Sequence, residues 1–129
     1  MSSKVLTTSI IKKYIPSRKL NSRKGDNGKV LVVGGSYMYH GAPILSSLAA
    51  LRAGADLVYT AVPKVNAQAT RAVSPDLIVI PLADSKLTRG AVNKLLGQIP
   101  PGIDSATIGM GLAVPDIEAL KLLIKSLVK

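Results

Sequence analysis

Lys29-Val30-Leu31-Val32-Val33-Gly34-Gly35-Ser36-Tyr37-Met38-Tyr39-His40-Gly41-Ala42-Pro43 is the stretch whose reading decides the fold. It opens on a short unbroken apolar run, the pattern of a strand buried on both faces, and two glycines end that run. Pro43 to Ala53 then suits a helix, with Pro in its first turn and Gly54 just past its end. A glycine turn between a buried strand and a helix sits at the carboxyl end of the strand, where open α/β sheets bind ligands.

Working outward, Leu57–Val62 reads as a second strand closed by Pro63, and Lys64–Ala72 as a short helix. Leu77–Ile80, between Pro75 and Pro81, is a third strand. Thr88–Gln98 is helical with Ala91, Val92 and Leu95 facing inward, and Asp104–Gly109 is a weaker strand. Asp116–Val128 is an amphipathic helix, with Ile117, Leu120, Leu123, Ile124 and Leu127 on one stripe. Upstream, Thr7 or Thr8 caps a helix through Tyr14, where Ile10, Ile11 and Tyr14 share a face and Pro16 stops it. Residues 15–28 are polar and read as a loop. Residues 1–28 thus form a basic helix and loop, and residues 29–129 alternate strand with helix. That alternation calls for an α/β fold, a parallel sheet covered by helices and joined by right-handed crossovers. The chain stops at Lys129 on a helix, where the alternation leads to another strand, so a partial domain is expected.

Composition agrees with this class. The hydrophobic share is 47%, yet the four aromatic residues are all Tyr, so the core is aliphatic. The absence of Cys excludes disulfides and thiolate chemistry, and the single His40 excludes a multi-histidine metal centre. Residues 1–9 lack the apolar core of a secretory signal, and no apolar run has the length of a membrane span. A soluble cytoplasmic protein without a membrane partner is expected. Net charge is +10, of which residues 1–30 carry +7: eight basic residues against Asp26 alone. Such a segment serves as a solvated face, or attracts a polyanion or a phosphorylated ligand. Nucleic acid is disfavoured, because Tyr14 is the lone stacking aromatic there and no recognition motif is present.

Two segments are candidate sites. In Gly34–Pro43 the glycines allow close approach to backbone, and the following helix offers unpaired N–H donors suited to an anion. Ser36 and the Tyr hydroxyls add hydrogen-bonding groups; the competing reading is an ordinary strand-to-helix turn. The second is Ile108-Gly109-Met110-Gly111-Leu112, also between a strand and a helix. It has Val114 where a dinucleotide fingerprint needs its third glycine, and the chain contains no Gly-Lys-Ser/Thr P-loop. Structural turn and ligand loop both remain open for it. His40 touches ligand or faces water. Of the scattered carboxylates, Asp76 reads as a turn residue, Asp116 and Glu118 complement a helix dipole, and Asp26 alone has a conceivable link to a site. No general base emerges.

Arg18–Lys29, Val30–Ser36, Tyr39–Pro43, Ala49–Val58, Ser74-Pro75-Asp76 and Ile108–Leu112, in that order, resemble the NAD(P)H-hydrate dehydratases. The resemblance implies a three-layer αβα ribokinase-like fold with a mostly parallel sheet, of which this chain is the N-terminal half. It implies metabolite repair: ATP- or ADP-dependent dehydration of (S)-NAD(P)H hydrate, with Mg2+. A phosphoryl group activates the ring hydroxyl, which leaves as phosphate. Ala42 and Gly111 match residues that contact the hydrate, and Gly34, Gly35, Ser36, Tyr39, Gly41 and Gly109 complete the expected substrate-binding set. The basic residues 12–29 are expected to suit its pyrophosphate. Departures are Arg23 for the family's His, Met110 for the Pro of Gly-Pro-Gly, and Ala113 for the following Gly.

The family's Pro-His-x-x-Glu segment, Lys-Gly nucleotide loop and Gly-x-Gly-Asp loop with its catalytic Asp find no match here, so no catalytic residue is assigned. The resemblance therefore implies a chain that is inactive alone, with an exposed sheet edge that invites self-association or a complementing C-terminal half. The alternatives are a non-catalytic dinucleotide-binding or interaction module, and a basic RNA-associated protein.

Overall fold

Side chains alternate between the two faces of a strand. The aliphatic runs therefore supply two apolar surfaces at once, and helices must cover both. The computed structural model describes residues 5–15 and 17–128; the stop assigned to Pro16 and the chain end at Lys129 lie outside the described residues. The elements are α1 (Thr8–Tyr14), β1 (Lys29–Val33), α2 (Gly41–Ala53), β2 (Leu57–Pro63), α3 (Lys64–Val73), β3 (Leu77–Leu82), α4 (Arg89–Leu96), β4 (Ser105–Ile108) and α5 (Ile117–Leu127). All strands are parallel, in the order β3-β2-β1-β4.

The register sets Val30 beside Val58 and Ser105, and Val58 beside Leu77. One face presents Leu31, Val33, Ala61, Ile80 and Leu82 to Val92 and Leu95 of α4 and Ala119 and Leu123 of α5. The opposite face presents Val32, Val58 and Leu77 to Ala50 and Leu51 of α2. The result is the expected three-layer αβα arrangement. Polar groups inside it are paired: Ser47 and Thr60 share a hydrogen bond of 2.8 Å, and Thr70 Oγ1 donates to the Asn66 carbonyl at 2.9 Å. Among the described residues no buried side-chain N or O lacks a partner. No helix of the described residues is long and apolar enough to cross a membrane.

Two expectations need correction. Pro81, read as the end of the third strand, lies within β3 and pairs with Val62. β3 is an edge strand, where a missing N–H is tolerated. The stripe expected on α5 holds at Leu120, Leu123 and Leu127, which meet the core together with Ala119, but Ile117 and Ile124 are exposed. On α1, Ile10 is half-buried while Ile11 and Tyr14 are exposed, and no residue is fully buried.

The polar loop before β1 is fastened at the amino end of the sheet. Arg18 pairs with Asp56 and donates to the Gly54 carbonyl, while the backbone N–H groups of Gly25 and Asn27 donate to Asp56 Oδ2 at 3.0 and 2.9 Å. Lys29 N–H donates to Asp104 Oδ2 at 2.8 Å, and Asp104 N–H returns a bond to the Lys29 carbonyl at 2.9 Å. The Asn27 backbone N–H, then its side-chain amide, the Gly25 N–H and the Arg18 charge hold the Asp56 carboxyl below the usual carboxylate range. A carboxyl whose pKa is depressed by folding contributes stability above its unfolded value, and that stability is lost as pH falls through the folded value. Melting temperature is accordingly predicted to fall as pH drops below about 4, and Asp56→Asn to lower it at neutral pH while flattening that acid dependence. Leu31→Ala, at a fully buried position, is expected to cost about 2–5 kcal/mol in urea unfolding.

Candidate functional site

The order β3-β2-β1-β4 contains one reversal. From β1 the chain steps through β2 to β3, then returns to pair β4 with the other edge of β1. Connections leaving two such neighbours pass to opposite faces, which opens a crevice at their carboxyl ends. The two glycine segments found in the sequence are the loops that leave β1 and β4, and they meet there.

Contact between them is intimate. Gly35 N–H donates to the Met110 carbonyl at 2.8 Å, and Gly109 N–H donates to the Val33 carbonyl at 3.0 Å, extending the ladder past the last strand residues. A Cβ on Gly34 would lie 2.6 Å from Met110 Sδ and 2.7 Å from the Met110 carbonyl oxygen. The glycine there admits the neighbouring loop rather than a ligand. Gly111 has φ +66°, and a Cβ on it would lie 2.9 Å from Tyr39 Cβ, so its own side-chain position is filled by the first loop. Gly35, with φ +84°, turns the chain beneath the Tyr39 carbonyl, which also accepts from Ser36 N–H at 2.9 Å.

The candidate residues therefore separate into two groups. Gly34 and Gly35 are buried, and their N–H groups are committed to Ala61 and Met110; they form the floor. Tyr39, Gly41, Ala42, Gly109 and Gly111 are exposed, with Ser36 half-buried between the groups. His40 is exposed at the N-cap of α2 and makes no capping hydrogen bond with its side chain. The first N–H groups of α2, at Gly41 and Ala42, stand at the same rim. Beside the crevice, a cavity of about 450 Å3 runs along the open side of β4, lined by Ile108, Gly109, Leu112, Leu120, Ile124 and Leu127 among others.

The basic loop is not part of this site. Arg18 and the turn at Gly25–Asn27 bind the amino end of the strands, one strand length (about 16 Å for five residues) from the glycine loops. That exceeds the screening length of about 8 Å at physiological salt. The expectation that residues 12–29 serve a bound pyrophosphate is corrected to this extent for residues 18–29. Asp26 loses its conceivable link as well, since its carboxylate accepts from Arg23 N–H at 2.8 Å within its own turn. Asp116 caps α5 and is held below the usual carboxylate range first by Arg89, then by the Glu118 N–H. Asn66 escaped the sequence reading, and so did the part that Met110 plays. Asn66, on the inward stripe of α3 with Ala67 and Thr70, donates from Nδ2 to the Ser36 carbonyl at 2.7 Å. Met110 fills the space above Gly34. A polar residue on an inward stripe was the available signal for the first; nothing local marked the second.

Solved structures place this architecture in a class. The chain superimposes on a hypothetical protein from Streptococcus mutans with TM-score 0.74 and 29% identity, covering 95% of this chain and 42% of that one. A ribokinase-like superfamily protein from Enterococcus faecalis gives TM-score 0.70 at 28% identity, with 93% and 40% covered. The fold is ribokinase-like. The sequence profile of the NAD(P)H-hydrate dehydratases matches residues 30–127, and the chain belongs to that family. It is 71% identical over 98% of its length to an ADP-dependent (S)-NAD(P)H-hydrate dehydratase of Nitrosopumilus maritimus, of which it covers 44%. It is 34% identical over 87% of its length to an ATP-dependent (S)-NAD(P)H-hydrate dehydratase of Pediculus humanus, of which it covers 36%. The chain spans less than half the length of these relatives.

Gly34→Ala is predicted to push Met110 out of the crevice floor and to cost about 1–3 kcal/mol in chemical denaturation. Gly90→Ala, in the first turn of α4 where a Cβ meets only Thr88 Oγ1 at 3.9 Å, is expected to be tolerated in the same assay.

Proposed function

We propose that this chain forms the substrate-binding part of an (S)-NAD(P)H-hydrate dehydratase, a lyase that returns hydrated nicotinamide dinucleotides to working NAD(P)H. The observation that carries this reading is the meeting of the two glycine loops at the switch point between β1 and β4. Ala42 and Gly111 stand at its rim, without bulk, and would lie against the hydrated ring. Tyr39, Gly41, Gly109 and Ser36 border the same opening, while Gly34 and Gly35 set its depth. Backbone N–H groups at the start of α2 suit the oxygens of a dinucleotide.

The names of the relatives support an ADP or ATP requirement. The nucleotide would supply the phosphoryl group that turns the ring hydroxyl into a leaving group. Among the described residues no three of His, Cys, Asp and Glu stand close enough to hold a metal ion by themselves; Mg2+ would be held largely by the nucleotide's own phosphates. Asp26, Asp56 and Asp104 are engaged at the amino end of the sheet, and Asp116 is engaged by Arg89 at the start of α5. On this reading the acid–base group and the nucleotide seat come from a complementing part, because the family's segments that supply them find no match in this sequence. We place that contribution at the open side of β4, where Ser105, Ala106 and Thr107 are exposed beside the apolar cavity. An added strand from a complementing half fits there better than a second copy, because two chains of charge +10 repel. A cytoplasmic setting accords with this substrate.

Calorimetry of the purified chain with (S)-NADH hydrate, followed by turnover assays with ADP and ATP, tests the reading. Saturable binding is expected, lost in Gly111→Val, with no turnover until the remaining part of the Nitrosopumilus relative is added. Absence of binding would refute the substrate assignment, and turnover by the chain alone would refute the need for a complement.

A further inference from the structure

Resting on that reading, we propose that Asn66 is a positioning residue that aims the Tyr37 N–H at an acceptor oxygen of the bound dinucleotide. Asn66 lies in the first turn of α3, is 7% exposed, and shares the inward stripe with Ala67 and Thr70. Its Nδ2 reaches 30 residues back along the chain to the Ser36 carbonyl at 2.7 Å.

Every other polar backbone contact recorded for this turn runs elsewhere. Gly34 N–H donates to Ala61, Gly35 N–H to Met110 and Ser36 N–H to the Tyr39 carbonyl. The Asn66 bond is thus what ties the turn to α3, and it fixes the Ser36 carbonyl in particular. The peptide joining Ser36 to Tyr37 is trans. In a trans peptide the carbonyl and the following N–H point in opposite directions across one rigid plane. With the Ser36 carbonyl held toward α3, the Tyr37 N–H points away from it. α3 packs on β2 and β3, whereas the crevice lies on the β4 side of β1, so this direction leads from the covering helix toward the crevice.

The donor is available. Tyr37 is 74% exposed, and its N–H makes no hydrogen bond to a described residue. A turn at the mouth of a site, fixed on one side by a buried amide and presenting a free N–H on the other, acts as a preorganised donor. Replacing Asn66 would release the peptide plane without touching the ligand. The carboxamide oxygen and the pyrophosphate oxygens share the chemistry required, and comparison of two ligands separates them.

The test follows amide resonances of 15N-labelled chain during titration with (S)-NADH hydrate and with nicotinamide riboside, which carries the ring and its carboxamide but no phosphate. Wild type is expected to show a downfield shift of the Tyr37 amide with the hydrate. A shift with both ligands assigns the ring end, and a shift with the hydrate alone assigns the pyrophosphate. Asn66→Asp, nearly isosteric but without the donor, and Asn66→Ala are expected to move the Gly35, Ser36 and Tyr37 resonances before any ligand is added. They should also weaken hydrate binding about tenfold, the scale of one buried hydrogen bond. Val92→Ala, at a fully buried position of α4 on the other face of the sheet, controls for stability: it should lower the melting temperature and leave the turn resonances and affinity alone. Asn66 variants with wild-type turn resonances, or with displaced resonances and unchanged affinity, would overturn the proposal. If wild type takes up no hydrate, the binding reading fails by itself. The unliganded turn resonances then still decide whether Asn66 sets the peptide plane: displacement in both variants supports it, and none overturns it.

Discussion

β1 is hydrogen-bonded along both edges, to β2 over Lys29–Val33 and to β4 over Val30–Val33, and its Leu31, Val32 and Val33 are shut off from water. A segment so placed has no freedom to slip by one residue. A slip would exchange the side chains facing α2 with those facing α4 and α5. Everything else is positioned by this constraint. Helices on both faces must match the alternation of β1, and the turn after Val33 must emerge between its two neighbours. The crevice is therefore a consequence of how the core is laid out, not an addition to it.

The two ends of β1 are specialised in opposite senses. At the amino end, charge is spent on fastening: Asp56 gathers Arg18, Gly25 and Asn27, and Asp104 exchanges bonds with Lys29. At the carboxyl end, side chains are withdrawn, and backbone meets backbone at Gly35 and Met110. Asp56 and Asp104 are thereby consumed as clamps. Lowered carboxyl pKa values at Asp56 and Asp116 fit that use, since hydrogen-bond donors stabilise the ionised form.

Much of this was legible from the residues. The apolar run before Gly34-Gly35 and the amphipathic spacing of Ala91, Val92 and Leu95 reported local periodicity, and local periodicity survives in the structure. The meeting of residues 34–42 with 109–111 was suggested only by each lying after a strand, because pairing between β1 and β4 is a property of topology. The α5 stripe was drawn too wide for a related reason. Ile117 and Ile124 satisfy the helical period, but which part of a wide apolar surface is covered depends on α4 and on the open side of β4. Asn66 and Met110 were illegible in their roles, since each acts on a residue far away in the chain.

The bond between Lys29 and Asp104 joins positions 75 residues apart. Closing such a span costs entropy that local contacts do not return, so long-range parallel pairing forms slowly. A state with β4 undocked would lack Ala119 and Leu123 of α5 on the core, because α5 follows β4 in the chain. In that state Gly34 has no Met110 above it and Gly35 no carbonyl to bind. Competence to hold a ligand thus arrives with the last long-range pairing, the same step that completes the core beneath α5.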